Sequence, residues 1–424
     1  MKEVSAKKLS TKKPKLKNSA EKVEKRDDQF ELVEFVVKHF RIPSWQEFSG
    51  QKYFHSDVNQ LISDVIEMFK EEKALAHISP PVTIVGDLNG QFQDLIRIFN
   101  IKNEKSKKDG EEDHKQVFAT EKFVFLGDYT DSSQFNLETV CLLFGLKLLY
   151  SQRYILLRGH QETLLNSEFH NQVLKRFPGD YGEEIWKKFK IAFSLLPVAA
   201  CVGEKILCVH SGITADVKKS VDEFRKIART ENIEDISAIS RDLILSCPMD
   251  DDKDGAESQE PVFCTYFDKV KRPKVFNEAA VKQFCEKTKI ELIVRSHEVP
   301  PSGFRFFADK KLITVFSAPA YHTYKNNGAF LRVDQEGVVS IVQLRPTERK
   351  AEEKAPKKKS GESGKKSVEK EIDSKETGKK GSKDKTNDSK EEGKETGKKK
   401  KSNSKPSKEI ESLYDNLSEK GAPA

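Results

Sequence analysis

Six short apolar runs, rich in β-branched residues, each break off into a polar segment that carries Gly or Ser. Val82-Thr83-Ile84-Val85 runs into Gly86-Asp87, and Phe123-Val124-Phe125-Leu126 into Gly127-Asp128. Tyr154-Ile155-Leu156-Leu157 precedes Arg158-Gly159-His160, and Ile206-Leu207-Cys208-Val209 precedes His210-Ser211-Gly212. Leu292-Ile293-Val294 leads to Arg295-Ser296-His297, and Leu312-Ile313-Thr314-Val315-Phe316 to Ser317-Ala318-Pro319. Runs this short and this apolar read as buried strands. Helical patterns lie between them, at Val58–Lys73, Leu137–Tyr150 and Glu183–Leu196. Alternation of this kind predicts an α/β body with polar groups gathered at the strand ends.

Charge separates that body from its ends. Of the 424 residues, 349–424 hold 23 Lys and Arg against 16 Asp and Glu, and 1–26 hold 10 against 3. The body between them is therefore acidic although the chain as a whole is +7. A net positive charge located in the tails does not make the body a nucleic-acid binder. Three segments follow: a basic disordered tail (1–26), a folded domain (27–348) and a Lys/Glu/Ser-rich disordered tail (349–424). The second tail repeats Lys-Glu-Thr-Gly-Lys-Lys at 375–380 and 394–399, and it is too poor in apolar residues to offset chain entropy. Its Lys runs are read either as import or anion-binding patches or as a solvated tail with no receptor. A short helix at Ile410–Leu417 is expected only with a partner.

Other classes are excluded by composition. No apolar stretch reaches the ~18 residues of a membrane span, and no signal peptide is expected behind the N-terminal lysines. The six Cys lack CxxC spacing, which predicts buried free thiols in a reducing compartment. An intracellular protein of nucleus or cytoplasm is expected.

The strand ends collect Asp87, Asn89, Asp128, Asp131, His160, His210 and His297. Each alone has a plainer reading: Asn89-Gly90 is a common turn dipeptide, and Asp128 could cap. Repeated at strand-to-loop junctions of one construction, they point to metal ligation. Carboxylates with imidazoles suit Mn, Fe or Zn, and paired ions clamp a phosphate.

In order along the chain, these motifs resemble the phosphoprotein phosphatase family of metal-dependent serine/threonine phosphatases. They are Gly86-Asp87-Leu88-Asn89-Gly90, Gly127-Asp128-Tyr129-Thr130-Asp131, Arg158-Gly159-His160-Gln161-Glu162, His210-Ser211-Gly212, Arg295-Ser296-His297-Glu298 and Ser317-Ala318-Pro319-Ala320-Tyr321. The flanking text is similar to the type 1 catalytic subunits, and the likeness spans roughly residues 29–346. It implies a metallophosphoesterase-type β-sandwich flanked by helices. It also implies metal ligands at Asp87, Asn89, Asp128, His160, His210 and His297, and catalytic places for Asp131, Gln161, Arg158 and Tyr321.

The departures fall on the chemistry. Where the family has a metal-binding His, this chain has Asn89, a neutral and weaker ligand. Ser132 stands where an Arg grips phosphate, and the alignment puts Glu260 at a second such Arg. His160 replaces an Asn ligand, and Gln161 replaces the His that protonates the leaving alkoxide; Gln has no proton to give. Ser246-Cys247-Pro248 has lost a carboxylate. A general acid is worth ~10²–10⁴ in rate, and each charged hydrogen bond to phosphate ~1.5–3 kcal/mol. The expectation is a pseudophosphatase or very weak phosphatase that binds regulatory subunits or phosphoproteins; the alternative is an active phosphoserine/phosphothreonine phosphatase. Nucleic acid is expected only through the Lys-rich tails. One divalent ion should sit tightly in the second site (Asp128, His160, His210, His297), with the first (Asp87, Asn89, Asp128) weakened. The family's partner groove maps onto Ile206, Leu292, Phe306, Lys310 and Ile313, with ordinary core and edge packing as the plainer reading.

Overall fold

Residues 30–42, 44–101, 117–164, 167–249, 258–265 and 274–347 are described by the structure, a computed structural model. Both tails, their Lys runs and the segment Ile410–Leu417 lie outside the described residues. All six apolar runs form strands. In chain order the strands are β1 (Leu75–Ile78), β2 (Val82–Val85), β3 (Phe123–Phe125), β4 (Tyr154–Leu156) and β5 (Ala199–Val202). Next come β6 (Ile206–Val209), β7 (Cys247–Pro248), β8 (Phe263–Thr265), β9 (Lys274–Phe276) and β10 (Leu292–Arg295). Last are β11 (Phe304–Phe307), β12 (Leu312–Val315), β13 (Gly328–Val333) and β14 (Val339–Leu344).

Two sheets stack face to face. One runs β14-β13-β2-β3-β4, the other β1-β5-β6-β10-β12-β11, and a small third sheet is β7-β9-β8. Strands β2, β3 and β4 are mutually parallel, as are β6, β10 and β12. Side-chain alternation assigns the layers. Ile84, Val124 and Ile155 share one core with Cys208, Val294 and Ile313 of the other sheet. Their strand neighbours Val85, Phe123, Phe125 and Leu156 face helices including His55–Glu71, Asn136–Leu149 and Asp180–Ser194. Leu207, Ile293 and Leu312 face the helices Ala238–Leu245 and Glu278–Thr288. Each fully buried large apolar side chain contributes about 1.5–3 kcal/mol, so strands covered on both faces must read as continuous apolar runs.

The expected helix at Val58–Lys73 begins earlier, at His55, and ends at Glu71. Ser56 and Asp57 are polar first-turn residues that the apolar spacing does not register. Strand β12 stops at Val315, because Phe316 bridges to Asp87 across the two sheets. Two buried serines reinforce that junction: Ser317 Oγ accepts from Gly86 N (2.8 Å) and Ser296 Oγ from Asp87 N (2.9 Å). The parallel strands of both sheets therefore deliver their loops to a common edge. All six Cys are free thiols, four of them buried. No helix among the described residues is long and apolar enough to cross a membrane.

Candidate metal centre

Two glycines let the loops after β3 and β4 touch. A Cβ on Gly127 would lie 2.5 Å from Gly159 Cα, and one on Gly159 would lie 2.3 Å from Asp128 N. Any side chain at either place would separate Asp128 from His160. Asn89 (φ 48°), Asp128 (φ 51°) and His297 (φ 71°) have left-handed backbone, which non-Gly residues adopt rarely and mostly where surrounding structure holds them. For the Asp128 loop the clamp is Glu162. Its Oε2 accepts from Asp128 N (2.8 Å) and Gly159 N (3.0 Å), and its Oε1 accepts from Tyr129 N (2.9 Å). The motifs alone give Glu162 no role; the fold makes it the clamp of this loop.

The expected carboxylate and imidazole ligands converge in two overlapping groups. Asp128, His160 and His297 form one and Asp87, Asp128 and His210 the other, with the ligand atoms of each group within 4.8 Å of one another. Asp128 is common to both, the bridging place expected for it. His210 was assigned with His160 and His297, but here it also reaches the Asp87 side: its Nε2 lies 3.3 Å from Asp128 Oδ1 and its Nδ1 3.8 Å from Asp87 Oδ1. A carbonyl can only accept, so the contact of His210 Nδ1 with Leu126 O (2.9 Å) puts the proton on Nδ1. Nε2 is left as a ligand atom, 3.3 Å from His297 Nδ1, an orientation typical of metal-binding histidines. Asn89 is buried beside them, and its backbone N–H donates to Asp128 O (2.9 Å).

Electrostatics fit a cation. With protein groups alone around them, burial raises the Asp87 carboxyl to about 7 and Asp128 well above the carboxylate range, where the charges of Asp87 and Glu162 add to the effect. Burial lowers His160 to about 4 and puts His210 and His297 well below the usual imidazole value. Carboxylates that resist ionising and imidazoles that resist protonating, packed together out of water, are stabilised in their ligating forms by a divalent ion. The residues suit such a group.

Above this floor lies a more open rim. Asp131 N donates to Asn136 Oδ1 (3.0 Å), and Asn136 returns a bond to Asp131 O (2.5 Å). The Asp131 carboxylate accepts from the Tyr321 hydroxyl and also meets His322 Nε2 at 3.1 Å. Ser132, exposed, places Oγ 3.3 Å from the same nitrogen. With Gln161 in the place of the family's acid His, the neighbouring loop offers Asp131 no imidazole; the structure supplies one from the loop after β12. His322 follows the Tyr321 motif directly, and that adjacency was the available signal. Gln161 is half-buried, with its N–H on Asp128 Oδ1 (2.8 Å). Arg158 is buried and its Nη2 donates to Ile233 O (3.0 Å). Asn277 Oδ1 caps its helix through Ala280 N (3.0 Å), and its amide holds the carbonyls of Ser258 and Glu260. The side chain of Glu260 is exposed.

The expected partner groove divides by burial. Ile206 and Ile313 are buried in the inter-sheet core and Leu292 packs partly against it. Phe306, 42% exposed, lies on edge strand β11 opposite Ile313, with Lys310 Nζ 5.9 Å from its ring centroid.

Two stacked sheets whose parallel strand ends gather carboxylates and imidazoles define a metallophosphoesterase. The model of the calcineurin-like phosphoesterase family matches residues 80–301, just over half of the chain, and the chain belongs to that family. Among solved structures it is similar to a protein serine/threonine phosphatase from Saccharomyces cerevisiae with similarity to human phosphatase PP5. Identity is 23%, the match covers 70% of this chain and 91% of that one, and the TM-score is 0.56. It is also matched with a cold-active protein-tyrosine phosphatase of a psychrophile Shewanella sp., at 14% identity, 65% and 84% coverage and a TM-score of 0.41. The family agrees with the phosphatase resemblance read from the motifs.

Proposed function

We propose that this chain is a degenerate serine/threonine phosphatase: it holds a divalent ion, binds phosphomonoesters on phosphoproteins, and turns them over slowly. The observation that carries this reading is the contrast within one site. Below, two carboxylates and the imidazoles of His160 and His210 are buried in ligating positions, with the half-buried His297 beside them. On the rim, the position after Asp131 offers the hydroxyl of Ser132, and the exposed Glu260 stands at the second place where the family has an Arg. Two guanidiniums on phosphate would represent about 3–6 kcal/mol, and their loss weakens ground state and transition state alike. When bound, a divalent ion supplies Lewis-acid polarisation of a phosphoryl oxygen. Asp128, His160, His210 and His297 hold one ion tightly; Asp87 and the neutral Asn89 hold a second weakly.

Metal content and turnover of an aryl phosphate with added manganese test this together. One tightly held ion per chain and slow turnover are expected. Two tightly held ions, or none after supplementation, contradict it. An efficient phosphatase is the second reading, favoured by the imidazole of His322 against Asp131. Regulatory subunits are proposed to dock by strand addition near Phe306, where β11 is a sheet edge. A labelled hydrophobic-x-Phe peptide tests that, and no binding at millimolar concentration removes it.

A further inference from the structure

We propose that His322, oriented by Asp131, is the general acid of this site, replacing the imidazole that Gln161 cannot supply. The inference rests on the reading of the site as a phosphomonoester hydrolase. Its geometry is that of an acid with a positioner: His322 Nε2 meets Asp131 Oδ2 at 3.1 Å, and the Tyr321 hydroxyl donates to the same oxygen. A carboxylate can only accept, so Nε2 carries a proton, and in the imidazolium Nδ1 carries the second. Nδ1 makes no hydrogen bond to any described residue. The His322 side chain is 45% exposed against 16% for Asp131, so the imidazole is open to solvent while its positioner is largely covered.

The loop is built to hold this pose. Ala320 (φ 49°) and His322 (φ 46°) have left-handed backbone, at a place with no glycine to ease it. Buried Asn326 staples the turn: its Oδ1 accepts from Tyr321 N (3.0 Å), its Nδ2 donates to Ala318 O (2.9 Å), and its carbonyl accepts from Ala320 N (2.9 Å). Tyr321 and His322 pack ring against ring with centroids 4.2 Å apart. Asp131 follows Asp128 by three residues, so the dyad is tied directly to the metal-ligand loop.

In the step assigned to it, the phosphorus–oxygen ester bond breaks and its electron pair goes to the seryl or threonyl oxygen. Nδ1–H protonates that oxygen, releasing the alcohol and leaving neutral imidazole. The water that adds to phosphorus gives its proton to solvent, from which the imidazole is recharged. Alkoxides leave poorly and need this proton; an aryl oxide needs it far less.

The test compares kcat/KM on a phosphoserine peptide and on p-nitrophenyl phosphate, in the full chain loaded with manganese. His322→Asn should lower the peptide-to-aryl ratio at least ~10²-fold, and His322→Asn with Gln161→His should recover part of it by returning an imidazole to the neighbouring loop. Metal content of each variant controls for misfolding. In the metal-free protein, nitrogen NMR should show the Nε2–H tautomer of neutral His322, lost in Asp131→Asn. An unchanged ratio in His322→Asn, or an Nδ1–H tautomer in the wild type, overturns the assignment while leaving the hydrolase reading intact. No turnover of either substrate by metal-loaded wild type overturns both.

Discussion

The floor and the rim of this site are made of similar residue types under opposite constraints. On the floor, Asp87, Asp128, Glu162, His210 and His297 are each tied to backbone or to one another, and Glu162 alone receives three backbone N–H groups. Replacing any of them breaks a buried network, and a buried group left unpaired costs far more than the bond it made. On the rim, Ser132 is exposed and Gln161 half-buried. An exposed position such as Ser132 can change at little cost to stability.

The largest expected effect is on the floor. Asp128→Asn removes the ligand common to both groups and should weaken metal retention at least ~100-fold, measured by chelator competition. Undiminished retention would mean the two groups are not one metal centre. Next comes Glu162→Gln, which turns one acceptor of backbone N–H into a donor. A loss of about 2–3 kcal/mol is expected in urea unfolding, against less than about 0.5 kcal/mol for Ser132→Ala. Equal losses would erase the distinction between floor and rim.

That difference should also depend on pH. Burial raises the Glu162 carboxyl to about 7, so in metal-free protein its contribution is full below its unfolded value near 4.5 and is lost as pH rises through about 7. The penalty of Glu162→Gln should therefore shrink between pH 6 and pH 8, while that of Ser132→Ala stays flat. A penalty that grows over this range would reverse the sign of the linkage. Smallest is Ser132→Arg, expected to lower KM for a phosphopeptide about tenfold with stability unchanged, from roughly 1.5 kcal/mol of one charged hydrogen bond. No change in KM would show that this rim position does not face phosphate.

Much of the floor was legible along the chain because its information is local. A strand covered on both faces must be a continuous apolar run, and the loop that ends it must start with a residue permitting a sharp, close turn. Hence Gly86, Gly127 and Gly159, with the ligands beside them, can be read in one dimension. The apolar runs at β2, β3, β4, β6, β10 and β12 likewise state their own burial, while the start of the helix at His55 depends on polar end residues that periodicity does not weigh.

The rim was decided in three dimensions. Asp131 and His322 are 191 residues apart, and nothing in either segment names the other; only the stacking of two sheets brings their loops together. Packing likewise turned Arg158 toward Ile233 O and placed His210 against Asp87 as well as Asp128. Local sequence thus determined which strands are buried and which ligand types stand at their ends, because burial and turn geometry act on neighbours in the chain. Which imidazole serves which carboxylate depended on the tertiary fold, because hydrogen bonds and charges act through space.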